Sequence, residues 1–262
     1  MESVSKRSSR PTVAELRAVG QPPEVLSRYN AEHWAGRVYM RKVSVYATWI
    51  LVRARVPANV VTFGMALVGL LGAFAFSGQG IWPPVAGAVL IQGYLLLDCS
   101  DGEIARWTAT TGPTGVFLDR LGHYVVEGAL LIAAGLRAGE WTNAGWTIAG
   151  MAAAMLALLT KVETDLVEVA RAKAGLRASS DEAIAPRATG VARLRRLAGM
   201  LPANRLLGAI EASFVLLVAA IVDERLGTLQ ATRVVVVGMI AIGVYTFAGH
   251  LVMILASNRL RA

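Results

Sequence analysis

Six apolar stretches recur along the chain, at roughly 59–77, 81–100, 115–137, 143–162, 206–223 and 230–256, separated by short polar connections and one long one. Each approaches the ~20 residues a helix needs to cross a ~30 Å hydrocarbon core. Gly64, Gly69, Gly72, Gly87 and Gly93 punctuate the first two stretches. Small residues let helix backbones approach closely in lipid, where apolarity alone does not pair helices. The pattern predicts an all-α integral membrane protein, with residues 57–262 forming a six-transmembrane-helix bundle.

Residues 1–56 read differently. The segment "HWAGRVYMRKVSVYATWILVRARVP" interleaves Trp34, Val38, Val45, Trp49 and Leu51 with Arg37, Arg41, Lys42, Arg53 and Arg55. That alternation predicts an N-terminal amphipathic helix lying in the membrane interface, its cations near lipid phosphates. A solvated basic arm is the alternative. The small, polar, Pro-broken run "ASSDEAIAPRATG" at 178–190 predicts a loop.

Composition supports the membrane class. Hydrophobic residues make up 55% of the 262 and charged residues 17%, against about 25% charge in soluble domains; mean hydropathy is +0.52. The net charge of +8 does not indicate nucleic-acid binding, because the basic segments alternate with apolar runs of membrane-spanning length. The single cysteine, Cys99, excludes an intrachain disulfide framework. The first 40 residues are polar and basic, without the apolar core of a signal peptide. Basic residues crowd the N-terminal arm, the 163–205 connection and the C-terminal end (Arg259, Arg261), while "SGQGIWP" and "RAGEW" hold few. The positive-inside rule therefore predicts both termini in the cytoplasm of a bacterial-type cell membrane, and the 102–114 connection with them.

That connection sits inside the most polar part of the apolar region, "LLLDCSDGEIARWTATTGPTGVFLDRLGHYVVEGALL", residues 95–131. Asp98 and Asp101 are three residues apart at the end of the second stretch, and Asp119 and His123 are four apart early in the third. Each pair shares a helix face. A helical hairpin would bring three carboxylates and an imidazole towards one point, where the carboxylates would repel each other strongly. A divalent cation removes that repulsion: hard oxygen donors suit Mg²⁺ or Mn²⁺, and Mg²⁺ bound this way keeps positions for phosphate oxygens. Arg106 then reads as a diphosphate clamp, and Gly102 and Gly115 leave room for a ligand against the backbone.

The spacing Asp98-x2-Asp101-Gly102-x2-Ala105-Arg106-x8-Gly115-x3-Asp119-x3-His123 resembles the signature of the CDP-alcohol phosphotransferase family, with His123 where that family carries a fourth aspartate. "VPANVVT" is similar to a Pro-Asn-x-x-Thr element that opens the family's first span; Asn59 and Thr62 keep its spacing, and Pro57 stands one place early. The resemblance implies a CDP-linked alcohol, most commonly CDP-diacylglycerol, bound through its diphosphate. An acceptor hydroxyl attacks the β-phosphorus and CMP leaves. It also implies one or two metal ions on Asp98, Asp101, Asp119 and the His123 position, space for cytidine beside the small motif residues, a general base at position 123, and a homodimer.

Imidazole suits base catalysis at neutral pH but is a poorer Mg²⁺ ligand than aspartate, shifting preference towards Mn²⁺ or Zn²⁺. Glu127 continues an i, i+4, i+8 row with Asp119 and His123, so it is expected to orient His123; the alternative pairs Glu127 with another buried polar group. Lys161, Glu163, Asp165 and Glu168 could line an acceptor site or form local ion pairs at a solvated helix end. Glu211 is an intramembrane carboxylate with either a functional or a pairing role. Arg193, Arg195 and Arg196 could grip a phosphorylated acceptor or lipid headgroups. His250 is expected to hydrogen-bond between helices, Cys99 to pack, and His33 has no evident partner.

The functional expectation is a membrane transferase that moves a substituted phosphate, in phospholipid synthesis, from CDP-diacylglycerol. Alternatives are a transferase using a soluble CDP-polyol to make a cell-surface precursor, a cation transporter, and a non-catalytic membrane scaffold. An acidic cluster near one face rather than at the midplane argues against transport.

Overall fold

A computed structural model describes residues 10–23, 34–176 and 203–260 of the chain. It is all-α, and among the described residues there are eight α-helices. They are α1 (Val13–Gly20), α2 (Arg41–Arg53, preceded by a π-helical turn at Gly36–Met40), α3 (Ala58–Phe76), α4 (Trp82–Thr108), α5 (Pro113–Ala138), α6 (Ala144–Lys173), α7 (Ala209–Leu226) and α8 (Gln230–Ala256). Three of them, α3, α6 and α8, are long and apolar enough to cross a membrane. Helices α4 and α5 have comparable length, 27 and 26 residues, and carry the charged motif. His33, Arg193, Arg195, Arg196 and the expected loop at 178–190 lie outside the described residues.

The chain divides into two compact units. The first holds the chain up to Ala75 together with Val85–Val126. Helix α1 starts with a capping box: Thr12 Oγ1 accepts from the Glu15 N–H at 3.2 Å, and Glu15 Oε2 accepts from the Thr12 N–H at 2.7 Å. The Thr12 N–H foremost, and then the Thr12 hydroxyl donating to the same Oε2 at 2.8 Å, hold the Glu15 carboxyl below the usual range. Leu16 of α1 and Val45 and Val52 of α2 join Val61, Ile104 and Trp107 in one buried cluster. The N-terminal arm thus packs on α3 and α4. Of the apolar residues expected to face lipid, Val45 turns fully inward, while Trp34 and Val38 are exposed.

Ser44 and Thr48 share the inward face of α2 because they serve a buried carboxylate on α4. Glu103, 1% exposed, accepts from Ser44 Oγ at 2.6 Å, Thr48 Oγ1 at 2.7 Å, Gln21 Nε2 at 2.9 Å and Arg41 Nη1 at 3.3 Å. Four donors satisfy a charge that would otherwise be very costly to bury. Close approach by small residues holds at Gly69, where an added Cβ would fall 2.5 Å from Val126 Cγ2. At Gly64 the space is open. The outer face of α3 presents Phe63, Leu67 and Phe74.

The second unit holds Phe76–Pro84 and the chain from Glu127 on. A Cβ at Gly135 would sit 2.4 Å from Trp146 O and one at Gly150 2.7 Å from Leu131 O, so α5 and α6 cross with their backbones in contact. Arg137 is buried; its Nη1 donates to the carbonyls of Gly78 and Gly80. Trp141 Nε1 donates to Ser77 O at 3.0 Å. These contacts tie down the turn at Glu140 and Trp141, which adopt φ of +52° and +63° and need outside support in that left-handed region. Asp223 near the end of α7 caps α8, accepting from the N–H groups of Ala231 at 2.8 Å and Thr232 at 3.1 Å.

Candidate functional site

The site forms where the end of α4 faces the start of α5. Helix α4 stops at Thr108 and the chain turns through Ala109, at φ +54°. The Thr110 N–H closes the helix end on Ala105 O at 2.9 Å, a backbone bond characteristic of a left-handed helix terminator. Pro113 then opens α5 at a position where its missing N–H costs nothing. This short hairpin sets the Asp98–Asp101 face of α4 against the Asp119–His123 face of α5.

A cavity of about 430 Å³ lies there. Asp98, Asp101, Gly102, Ala105 and Arg106 of α4 line it, with Gly115, Asp119 and His123 of α5 and Asn59 and Thr62 of α3. Every residue expected in the metal and nucleotide set therefore reaches one wall or another of the same space. Arg41 of α2 lines it as well.

His123 is the hub. Its Nε2 lies 3.0 Å from Asp98 Oδ1 and 3.4 Å from Asp119 Oδ1. Its Nδ1 is held by the hydroxyl of buried Tyr94, whose ring meets the imidazole edge-on at 5.6 Å. Tyr94 precedes Asp98 by one helical turn, so both reach the same ring from α4. With Nδ1 engaged, Nε2 is the nitrogen that faces the carboxylates. The orienting role expected of Glu127 falls to Tyr94 instead. Glu127 is buried against Lys161, Oε2 to Nζ 2.6 Å, which is the alternative pairing. Glu127 stands one turn (~6 Å of rise) beyond His123 on α5, but its carboxylate is engaged by Lys161.

Asp98, Asp119 and His123 each offer one ligand atom, all within 4.8 Å of one another, and each is half-buried. Two carboxylate oxygens and one imidazole nitrogen form a donor set able to hold a divalent ion, weighted towards Mn²⁺ by the nitrogen. Asp101 stands beside this trio with its Oδ2 accepting from Thr62 Oγ1 at 2.6 Å. Asp101 lies one residue past the apolar stretch that ends at 100. The Asp98 carboxylate, and more weakly Asp119, stand close enough to repel a negative charge on Asp101. A cation bound beside it would relieve that repulsion.

Arg106 Nε donates to Gly20 O at 2.7 Å. A guanidinium keeps its proton at any physiological pH. A Cβ at Gly102 would meet Arg106 Nη1 at 3.1 Å, and one at Gly115 would meet Asn59 Oδ1 at 3.7 Å. The glycine at 102 gives the guanidinium its room.

Other expected residues pair locally. His250 Nδ1 meets Glu163 Oε2 at 2.9 Å, bridging α8 and α6. Cys99 is a buried free thiol, and Glu211 is buried on α7. Sequence reasoning missed Tyr94, Glu103 and the cavity-facing position of Arg41. The i, i+4 step from Tyr94 to Asp98 was a usable signal. Glu103 falls between the residues that define the motif, and nothing about its spacing marked it. No family model matches this chain, and no curated protein matches it.

Proposed function

We propose that this chain is a membrane-embedded, metal-dependent transferase that moves a substituted phosphate from a CDP-alcohol, with CDP-diacylglycerol as the favoured donor, to an acceptor alcohol and releases CMP. The observation that carries the reading is that Asn59, Thr62, Asp98, Asp101, Gly102, Ala105, Arg106, Gly115, Asp119 and His123 all line one cavity. Only their spacing in the chain had linked them. A chance motif would have no reason to converge.

Asp98, Asp119 and His123 would hold the ion, with Asp101 adjoining. When bound, the ion neutralises charge on the diphosphate oxygens and on the leaving phosphate. Arg106 binds the diphosphate by paired N–H donors. Gly102, Ala105 and Gly115 keep side chains out of the space taken by the nucleoside. The acceptor oxygen forms a bond to the β-phosphorus, and the bond from that phosphorus to the bridging oxygen breaks. CMP departs with the electron pair, and the hydroxyl proton passes to a neighbouring carboxylate or, when His123 is not itself a ligand of the ion, to its Nε2. Positioning and charge supply most of the acceleration in such displacements.

In this reading helices α3 to α8 are the six spans, α2 lies at the cytoplasmic interface, and the cavity opens to the cytosol. The exposed Phe63, Leu67 and Phe74 on α3 support a lipid-facing exterior. The test incubates purified protein with CDP-diacylglycerol, Mg²⁺ or Mn²⁺ and a panel of acceptor alcohols, and measures CMP and product mass. CMP release that requires the ion and disappears in Asp98→Ala and Asp119→Ala is expected. Ion flux across sealed vesicles without CMP formation would overturn the proposal, and a soluble CDP-polyol active where CDP-diacylglycerol is not would move the donor assignment.

A further inference from the structure

The cavity has a cationic wall that the motif does not account for. Arg106 comes from the motif, whereas Arg41 comes from α2, 65 positions earlier in the chain. Both arginines line the same space. Arg41 Nη1 donates to Cys99 O and to Glu103 Oε1, each at 3.3 Å, long for a charge-assisted contact. Glu103 already accepts shorter hydrogen bonds from Ser44, Thr48 and Gln21. Pairing with Glu103 explains why a cation can sit here. It does not explain why the side chain continues along α4 to Cys99 O and into the cavity wall.

Two like charges gathered at one cavity oppose each other. An anion between them removes that opposition. The same cavity is lined by Asp98, Asp101 and Asp119, which suit a cation. A space lined by acidic ligands and by two arginines fits a metal–diphosphate complex.

The rest of the network fixes Arg41 in place. Gln21 Nε2 donates to the Arg41 carbonyl at 2.6 Å as well as to Glu103. The neighbouring Gly20 carbonyl accepts from Arg106. One short segment at the end of α1 thereby holds both arginines, one through its backbone and one through its side chain.

We propose that Arg41 is a ligand-binding residue that grips a diphosphate jointly with Arg106, and that Glu103 and Gln21 are positioning residues that hold Arg41 at the cavity. The N-terminal arm is then part of the binding site as well as a membrane-surface element. This inference rests on the nucleoside-diphosphate reading of the cavity.

The test measures affinity of the full chain in detergent, with saturating Mn²⁺, for four probes: CDP, pyrophosphate, cytidine and glycerol 3-phosphate. Arg41→Gln is expected to weaken CDP and pyrophosphate about tenfold or more, within the range for a lost charge-assisted contact, and to leave cytidine and glycerol 3-phosphate unchanged. Arg41→Lys, which keeps the charge facing Glu103 and folds if Arg41→Gln does not, is expected to lose several-fold for want of a second N–H. Glu103→Gln should narrow the ratio of CDP to cytidine affinity, which a general loosening of the fold would leave unchanged. CDP binding that Arg41→Lys and any folded Arg41→Gln leave at wild-type strength overturns the role of Arg41 alone. Loss confined to glycerol 3-phosphate assigns Arg41 to the acceptor and overturns it too. A wild-type protein that binds neither CDP nor pyrophosphate overturns the reading of the cavity itself.

Discussion

Two carboxylates on α4, Asp101 and Glu103, stand two residues apart, about 200° round the helix. Both are buried, at 8% and 1% exposure, and they are treated in opposite ways. Glu103 faces the arm and is saturated by Gln21, Arg41, Ser44 and Thr48. Asp101 faces the cavity with Thr62 as its side-chain donor and two other carboxylates nearby. A saturated buried charge is a structural element. An under-satisfied one among like charges raises the energy of the empty site, and such arrangements are typical of sites built for a cation. The difference separates the side of α4 that packs against the arm from the side that lines the cavity.

The strongest break of this comparison is to remove each carboxylate in turn. Asp101→Ala should cost at least about a thousandfold in CMP release, roughly 4 kcal/mol, with the thermal transition retained. Glu103→Ala should destabilise the fold by about 3–5 kcal/mol by leaving the Arg41 charge buried without its counter-ion, read from thermal or denaturant unfolding. Matching effects from the two variants would erase the distinction.

The next effect concerns the ion. Added Mn²⁺ should raise the thermal transition of the wild type above its value in chelator, and should do little for Asp98→Asn; an equal rise in both would remove Asp98 from the ligand set.

His123→Asp should change ion preference more than it changes folding. An oxygen donor in place of imidazole is expected to move the ratio of Mg²⁺-supported to Mn²⁺-supported turnover about tenfold towards Mg²⁺. An unchanged ratio would remove His123 from the ligand set. The smallest effect is expected from Thr62→Val, which deletes the donor to Asp101 at a cost of about 1 kcal/mol in unfolding and lowers the metal concentration needed for half-maximal activity only slightly.

Much of this site was readable before folding. The helices are legible because apolar stretches of bilayer length leave few alternatives, and Asp98, Asp101, Asp119 and His123 are legible because three- and four-residue steps align side chains on a helix face. The arm was half-legible. Its mixture of basic and apolar residues announced an amphipathic helix, but its inward face is defined by Ser44 and Thr48, and hydroxyls do not stand out against a basic, apolar background. The role of Glu127 was misassigned by the same periodicity that served elsewhere, since a helical row says which residues share a face and not which neighbour that face meets.

The sequence by itself determined which residues could act together along one helix: an acidic pair, an aspartate–histidine pair, and an arginine with glycines to make space. Helical geometry repeats every few residues and so is written locally. Only the tertiary structure decided the partners: Tyr94 for His123, Lys161 for Glu127, the hydroxyls of α2 for Glu103, and Arg41 beside Arg106. Those choices depend on how one helix is rotated against another. Packing along the whole length of both helices sets that rotation, and no short stretch of chain encodes it.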